Sequence, residues 1–261
     1  MMVDEKLFKE FVEVINELRE KCPWDKAQTI HSLRHLTIEE LYELIDGIDK
    51  NNYELIKEEL GDLLMHIIFY SKIANEESKF DINDVIRGAI NKLKIRHPHV
   101  FGNIIVNDKE EVKRNWEKIK AKEKQDYLLD SLPRNMPSLI RALRIQEKVK
   151  SVGFDWERKE DVWNKVKEEL NELIEVINKG DNNLYKEEII EEFGDLLFVI
   201  VNAARLYDVD PEYALQMTND KFIKRFNYLE KKTKELGKKL EEMNLKEMDE
   251  IWEEAKKKCD L

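Results

Sequence analysis

The sequence predicts an all-α protein built as a tandem repeat of two helical-bundle domains, and three observations carry that expectation. Eight glycines and five prolines among 261 residues are about 5%, against an average usage near 12%. That is too few for the turns a many-stranded sheet protein needs every ~10 residues. Apolar residues recur at helical spacing through most of the chain, and the chain spells one helical unit twice.

The repeat is explicit. EELYELI at 39–45 returns as EELNELI at 168–174, an offset of 129, and EELGDLL at 58–64 returns as EEFGDLL at 191–197, an offset of 133. Most of the added length falls in the intervening turn, where KNNY (50–53) faces KGDNNLY (179–185). Lys92 and Arg96 correspond to Lys221 and Arg225, and Trp116 to Trp252. Between the copies, DSLPRNMPS (130–138) holds two prolines and breaks the helical period. The expected organisation is therefore a domain over 1–129, a linker over 130–138 and a domain over 139–261.

In the first copy Leu41, Leu44, Ile45 and Ile48 mark one amphipathic helix, and Ile56, Leu60, Leu63 and Ile67 mark the next, across a short Asn-rich turn. Packing antiparallel through these stripes is the expected arrangement. Thr37 is the expected cap of the first helix, and segments 79–94 and 209–226 read as a third helix in each copy, each entered through an Asp. Gly61 and Gly194 read as close helix contacts, and the Leu-Leu pairs beside them as core.

Composition removes several functions. A net charge of −11 repels nucleic acid and anionic membrane, so neither is an expected partner. The glycines stand at least 14 residues apart, which excludes both the G-x-G-x-x-G turn and the G-x-x-x-x-G-K-[ST] loop. Cys22 and Cys259 lie near opposite ends without C-x-x-C, consistent with a reducing cytoplasm and with neither a disulfide scaffold nor a zinc site. The longest apolar run, 196–201, is far short of the ~18 residues needed to span a bilayer, and the N-terminal segment reads as no signal peptide.

The chemistry resides in acids. Glu40 and Glu43, at i, i+3, lie 60° apart on the helical wheel, and Glu59 and Asp62 repeat the spacing on the next helix. The second copy offers Glu169, Glu172, Glu192 and Asp195. Carboxylates gathered at one rim raise one another's proton affinity unless a cation neutralises them. Hard oxygen donors without His or Cys suit Mg²⁺, with Mn²⁺ a substitute, and leave coordination positions for phosphates. A solvated acidic face is the plainer alternative for one such motif; its recurrence in both copies favours the metal. A di-iron centre needs E-x-x-H, which is absent. His66 has Val199 as its counterpart, and His97 and His99 have none. Lys92 with Arg96, and Lys221 with Arg225, project at i, i+4 as a phosphate clamp or as ordinary surface pairs. Trp116 and Trp252 suit either core packing or base stacking.

With KCPWDKAQT (21–29) and RHPHVFGN (96–103), these motifs resemble the two-domain MazG nucleoside triphosphate pyrophosphohydrolases over almost the whole chain. The resemblance implies the all-α NTP pyrophosphatase bundle, usually a homodimer whose subunits complete each other's core, and the reaction NTP + H₂O → NMP + PPi with Mg²⁺. It implies metal carboxylates at Glu169, Glu172, Glu192 and Asp195, with Glu168 and Glu191 beside them, and phosphate and base contacts at Lys221, Arg225 and Trp252. Glu40, Glu43, Glu59, Asp62, Lys92, Arg96 and Trp116 match in the first copy, although in similar proteins the C-terminal copy tends to carry activity. Glu172 and Glu192 are the candidate bases. A non-catalytic nucleotide sensor and a narrower hydrolase of dUTP or phosphoribosyl-ATP type are the alternatives.

Overall fold

The structure is a computed structural model that describes residues 4–106, 108, 109, 111, 112, 115, 116, 119, 127–180 and 183–259. Among these residues it holds helices and turns and no strand, so the all-α class stands. The chain divides into two compact units, Met1–Asp108 and Lys109–Leu261, and the 130–138 segment leads into the first long helix of the second.

In the first unit, α1 (Glu5–Lys21), α2 (Pro23–Ala27), α3 (Ile30–Asp49), α4 (Tyr53–Glu76), α5 (Ile82–Arg96) and α6 (Pro98–Phe101) follow in order. The cap of α3 is Thr29 rather than the expected Thr37. Thr29 and Ser32 form a reciprocal capping box, so the helix starts two turns earlier. Thr37 lies inside it and donates to the Leu33 carbonyl at 3.1 Å. Asn51 takes a positive φ of 52° in the turn, and the Asn52 side chain caps α4. The Asp expectations hold, since Asp81 caps α5 and Asp210 caps the corresponding helix of the second unit. Ile15, Leu33, Ile68, Phe69 and Ile73 form the core, each contributing about 1.5–3 kcal/mol through burial. Arg19 fastens the end of α1 to the segment before α3 and to the end of α4: it donates to the carbonyls of Asp25, Lys26 and Gln28 at 2.6–2.9 Å and pairs with Glu76 at 2.9 Å.

The second unit contains α7 (Ser138–Lys150), α8 (Val162–Asn178), α9 (Lys186–Leu206), α10 (Pro211–Glu235) and α11 (Leu245–Cys259). Val162, Val199 and Ala203 form its α8–α9 core. Arg205, near the end of α9, pairs with Asp155 in the loop before α8. Helix α10 packs mainly on α11.

The hairpins close through only part of the stripes expected of them: Leu44, Ile56 and Leu63 turn inward and the other members do not. Leu41, Ile45 and Ile48 on α3, and Leu60, Leu64 and Ile67 on α4, are exposed. Across the α3–α4 seam Thr37 meets His66 and Tyr70, Glu40 meets Glu59, and Gly47 lies against Ile56, while Leu33, Leu44 and Leu63 are buried or half-buried. The second unit repeats this, with Leu170, Ile174, Ile177, Ile190, Phe193, Leu197 and Ile200 outside. Each helix has two apolar faces, and periodicity alone does not say which one its sequence neighbour takes. The close helix contact is also relocated. Gly61 and Gly194 face open space, whereas a Cβ on Gly47 would lie 3.2 Å from the Ile56 nitrogen. Each Leu-Leu pair is split, with Leu63 and Leu196 half-buried and Leu64 and Leu197 exposed.

Candidate functional site

The seam carries acids inward. In the first unit, carboxylate oxygens of Glu40, Glu43 and Glu59 all lie within 4.8 Å of one another, although the side chains come from two helices. Glu59 is only 3% exposed, and its Oε2 is buried without a hydrogen-bond partner. Burial, reinforced by a hydrogen bond with Glu40 and the charge of Glu43, pushes the Glu59 carboxyl up to about 7. Burial also raises Glu40, with the charges of Asp62 and Glu43 adding to it. Asp62 thus stands in the field of the cluster while remaining outside the three-oxygen group.

In the second unit the group is Glu169, Glu192 and Asp195, again within 4.8 Å. Glu172 stands beside it, its carboxyl raised by burial and then by the charge of Glu169. Glu168 and Glu191 are exposed and outside the group. Sequence reasoning missed Lys165, whose Nζ lies 2.7 Å from Glu168 and 2.8 Å from Glu169, and whose proton these bonds hold more tightly than usual. The i, i+4 spacing of Lys165 and Glu169 was the available signal.

Both groups fit a hard divalent cation. All donors are carboxylate oxygens, two helices aim them at one point, and the orphaned Glu59 oxygen lacks a protein partner. His66 belongs to neither group. It is buried, its Nδ1 lies 3.0 Å from the Thr37 hydroxyl, and burial lowers its proton affinity. His97 and His99 sit ring to ring at 5.6 Å at the α5–α6 junction.

The predicted cations are arranged differently in the two units. Helix α5, which carries Lys92 and Arg96, buries none of its residues. Helix α10 carries Lys221 and Arg225 and is backed by α11, where the Trp252 ring lies 5.0 Å from that of Phe222. Trp116 is half-buried and belongs to the second unit, whereas Glu40, Glu43 and Glu59 lie in the first. The geometry defines a helical protein with one all-carboxylate group in each unit, whose hard oxygen donors fit a divalent cation.

The family model for the MazG nucleotide pyrophosphohydrolase domain matches twice, at residues 28–101 and 158–230, once over each acid group. The chain is 44% identical to the nucleoside triphosphate pyrophosphohydrolase/pyrophosphatase MazG of Thermotoga maritima over 96% of both chains. It is 40% identical to the nucleoside triphosphate pyrophosphohydrolase of Escherichia coli K12 over 90% of both. A crystal structure of a mazG-related protein from Thermotoga maritima aligns with 43% of this chain and 98% of its own, at 25% identity and a TM-score of 0.39. The chain belongs to the MazG nucleotide pyrophosphohydrolase family, hydrolases of phosphoric anhydride bonds.

Proposed function

We propose that this chain hydrolyses nucleoside triphosphates to monophosphate and pyrophosphate with Mg²⁺, across a range of bases, and serves control of the nucleotide pool. The observation that carries the metal assignment is the meeting of three carboxylates from two helices in each unit. Glu169, Glu192 and Asp195 are the principal ligands, with Glu168, Glu172 and Glu191 around them, and Glu40, Glu43, Glu59 and Asp62 form the counterpart in the first copy. When bound, Mg²⁺ withdraws charge from phosphate oxygens. Lys221 and Arg225 grip the phosphate tail, Trp252 stacks on the base, and Lys92, Arg96 and Trp116 are the first-copy counterparts. Glu172 accepts the proton of the attacking water, a role suited to a carboxyl with raised proton affinity. Glu192, the other candidate base, lies within the ligand group.

The same proposal includes a homodimer in the cytoplasm. Each hairpin turns an apolar stripe outward, with Leu41, Ile45, Leu60 and Ile67 exposed in the first unit and Leu170, Ile174, Phe193 and Leu197 in the second. These stripes are the surface that a second copy would cover. Among the described residues, no helix is long and apolar enough to cross a membrane.

The test is product analysis with the common NTPs and Mg²⁺ in ¹⁸O-labelled water. Monophosphate carrying the label, together with unlabelled pyrophosphate, is expected. Nucleoside diphosphate with orthophosphate would overturn the reaction. Turnover confined to dUTP or phosphoribosyl-ATP would select the narrower hydrolase, and binding without products the sensor.

A further inference from the structure

We infer that Phe222 is a positioning residue for base recognition: its ring sets the orientation of the Trp252 indole and, with Phe226, extends it into an aromatic ladder open to a planar ligand. This rests on the proposed role of Trp252 and deepens it.

Three observations carry the inference. The Phe222 and Trp252 ring centroids are 5.0 Å apart at 53°, a tilted contact between α10 and α11. The Phe222 and Phe226 rings stack at 10° with centroids 6.1 Å apart, one turn along α10. Phe222 is nevertheless 55% exposed, and Trp252 only half-buried. A pair used only to fill a core would be covered; this one keeps ring surface accessible.

The neighbours have the chemistry of a nucleotide. Along α10 the order is Lys221, Phe222, Arg225, Phe226, so two cations at i, i+4 lie 100° around the helix from two rings with the same spacing. One face thus offers charge for phosphate, and the face beside it offers π surface for a base. Among the described residues Lys221 carries no salt bridge, which leaves its ammonium group available. The first copy has the cations Lys92 and Arg96 but Leu93 and His97 where the rings stand. The ladder therefore belongs to the second copy, and the nucleoside end of the substrate is a further place where the two copies differ.

The test compares a ligand with a base and one without. Calorimetric dissociation constants are measured with Mg²⁺ for α,β-methylene ATP, whose scissile bond resists hydrolysis, and for inorganic triphosphate. Replacing Phe222 by the first copy's residue, Phe222→Leu, should lower the preference for the nucleotide over inorganic triphosphate by roughly tenfold, the scale of one stacking contact. Phe222→Tyr, which keeps the ring, should retain that preference. If Phe222→Leu does not fold, Phe222→Met supplies similar volume without a π face. An unchanged preference in the folded variant, or equal weakening of both ligands, overturns the inference. A wild-type protein that releases no monophosphate and pyrophosphate in a separate turnover assay would defeat the proposed activity, while the preference would still be measurable.

Discussion

The two acid groups grow from the same spelling, yet they manage their charge differently. In the second unit Lys165 reaches Glu168 and Glu169 and supplies a resident positive charge. In the first unit the corresponding position is Leu36, and the group keeps its repulsion: Glu59 is raised to about 7, with one oxygen unpartnered. The difference continues along the seams. Thr37, His66 and Tyr70 form a hydrogen-bonded trio in the first, where Val166, Val199 and Ala203 pack in the second. A duplicated set of acids therefore does not make duplicated surroundings. What surrounds the acids decides whether an added cation meets unbalanced charge or competes with a lysine.

The largest expected effect separates the copies by activity. Glu192→Gln with Asp195→Asn preserves shape and removes two ligands, and should lower Mg²⁺-dependent turnover at least ~100-fold, the scale of losing a strong electrostatic contribution to a transition state. Glu59→Gln with Asp62→Asn should cost much less. Comparable losses in steady-state assays would establish two working sites, and a loss only in the first-copy variant would reverse the assignment.

The next effect is on stability. An acid whose folded pKa is about 7 and whose unfolded value is near 4.5 binds more protons when folded across that interval, so stability falls as pH rises through it. Without divalent metal, melting temperature should decline between those pH values, and Glu59→Gln should flatten the decline. Mg²⁺ at about 100 times its dissociation constant should add roughly 2.7 kcal/mol. A metal-free profile already flat in calorimetry would contradict the strained first cluster.

The smallest effect concerns Lys165. Lys165→Met gives the second cluster the uncompensated character of the first, and its Mg²⁺ half-saturation, read by thermal shift without nucleotide, should fall by roughly threefold to tenfold as one opposing charge is removed. An unchanged or rising half-saturation would show that the lysine does not compete with metal.

Much of this was legible in the sequence because duplication prints the signal twice. The hairpin helices, the Asn-rich turn, the Asp caps and the gathering of acids followed from period and spacing, although Asp62 and Glu172 stand beside the groups they were expected to join. The face of each hairpin did not, because α3 and α4 each carry a second apolar stripe, and periodicity reports stripes without their partners. Thr37 looked like a cap because it precedes two glutamates, but Thr29 and Ser32 satisfy the backbone earlier. The Phe222–Trp252 contact joins α10 to α11, a tertiary relation that helical period does not encode.

Arg19 fixes where the first unit tolerates sequence drift. Its guanidinium holds the segment before α3 through the carbonyls of Asp25, Lys26 and Gln28, atoms that every amino acid supplies. Exposed Lys26 can therefore exchange for many residues with its part of the knot intact. Position 19 has no such freedom: a lysine there has one nitrogen where the guanidinium spreads its donors over three carbonyls and the Glu76 carboxylate. The constraint is written at a residue outside the motif whose shape it maintains.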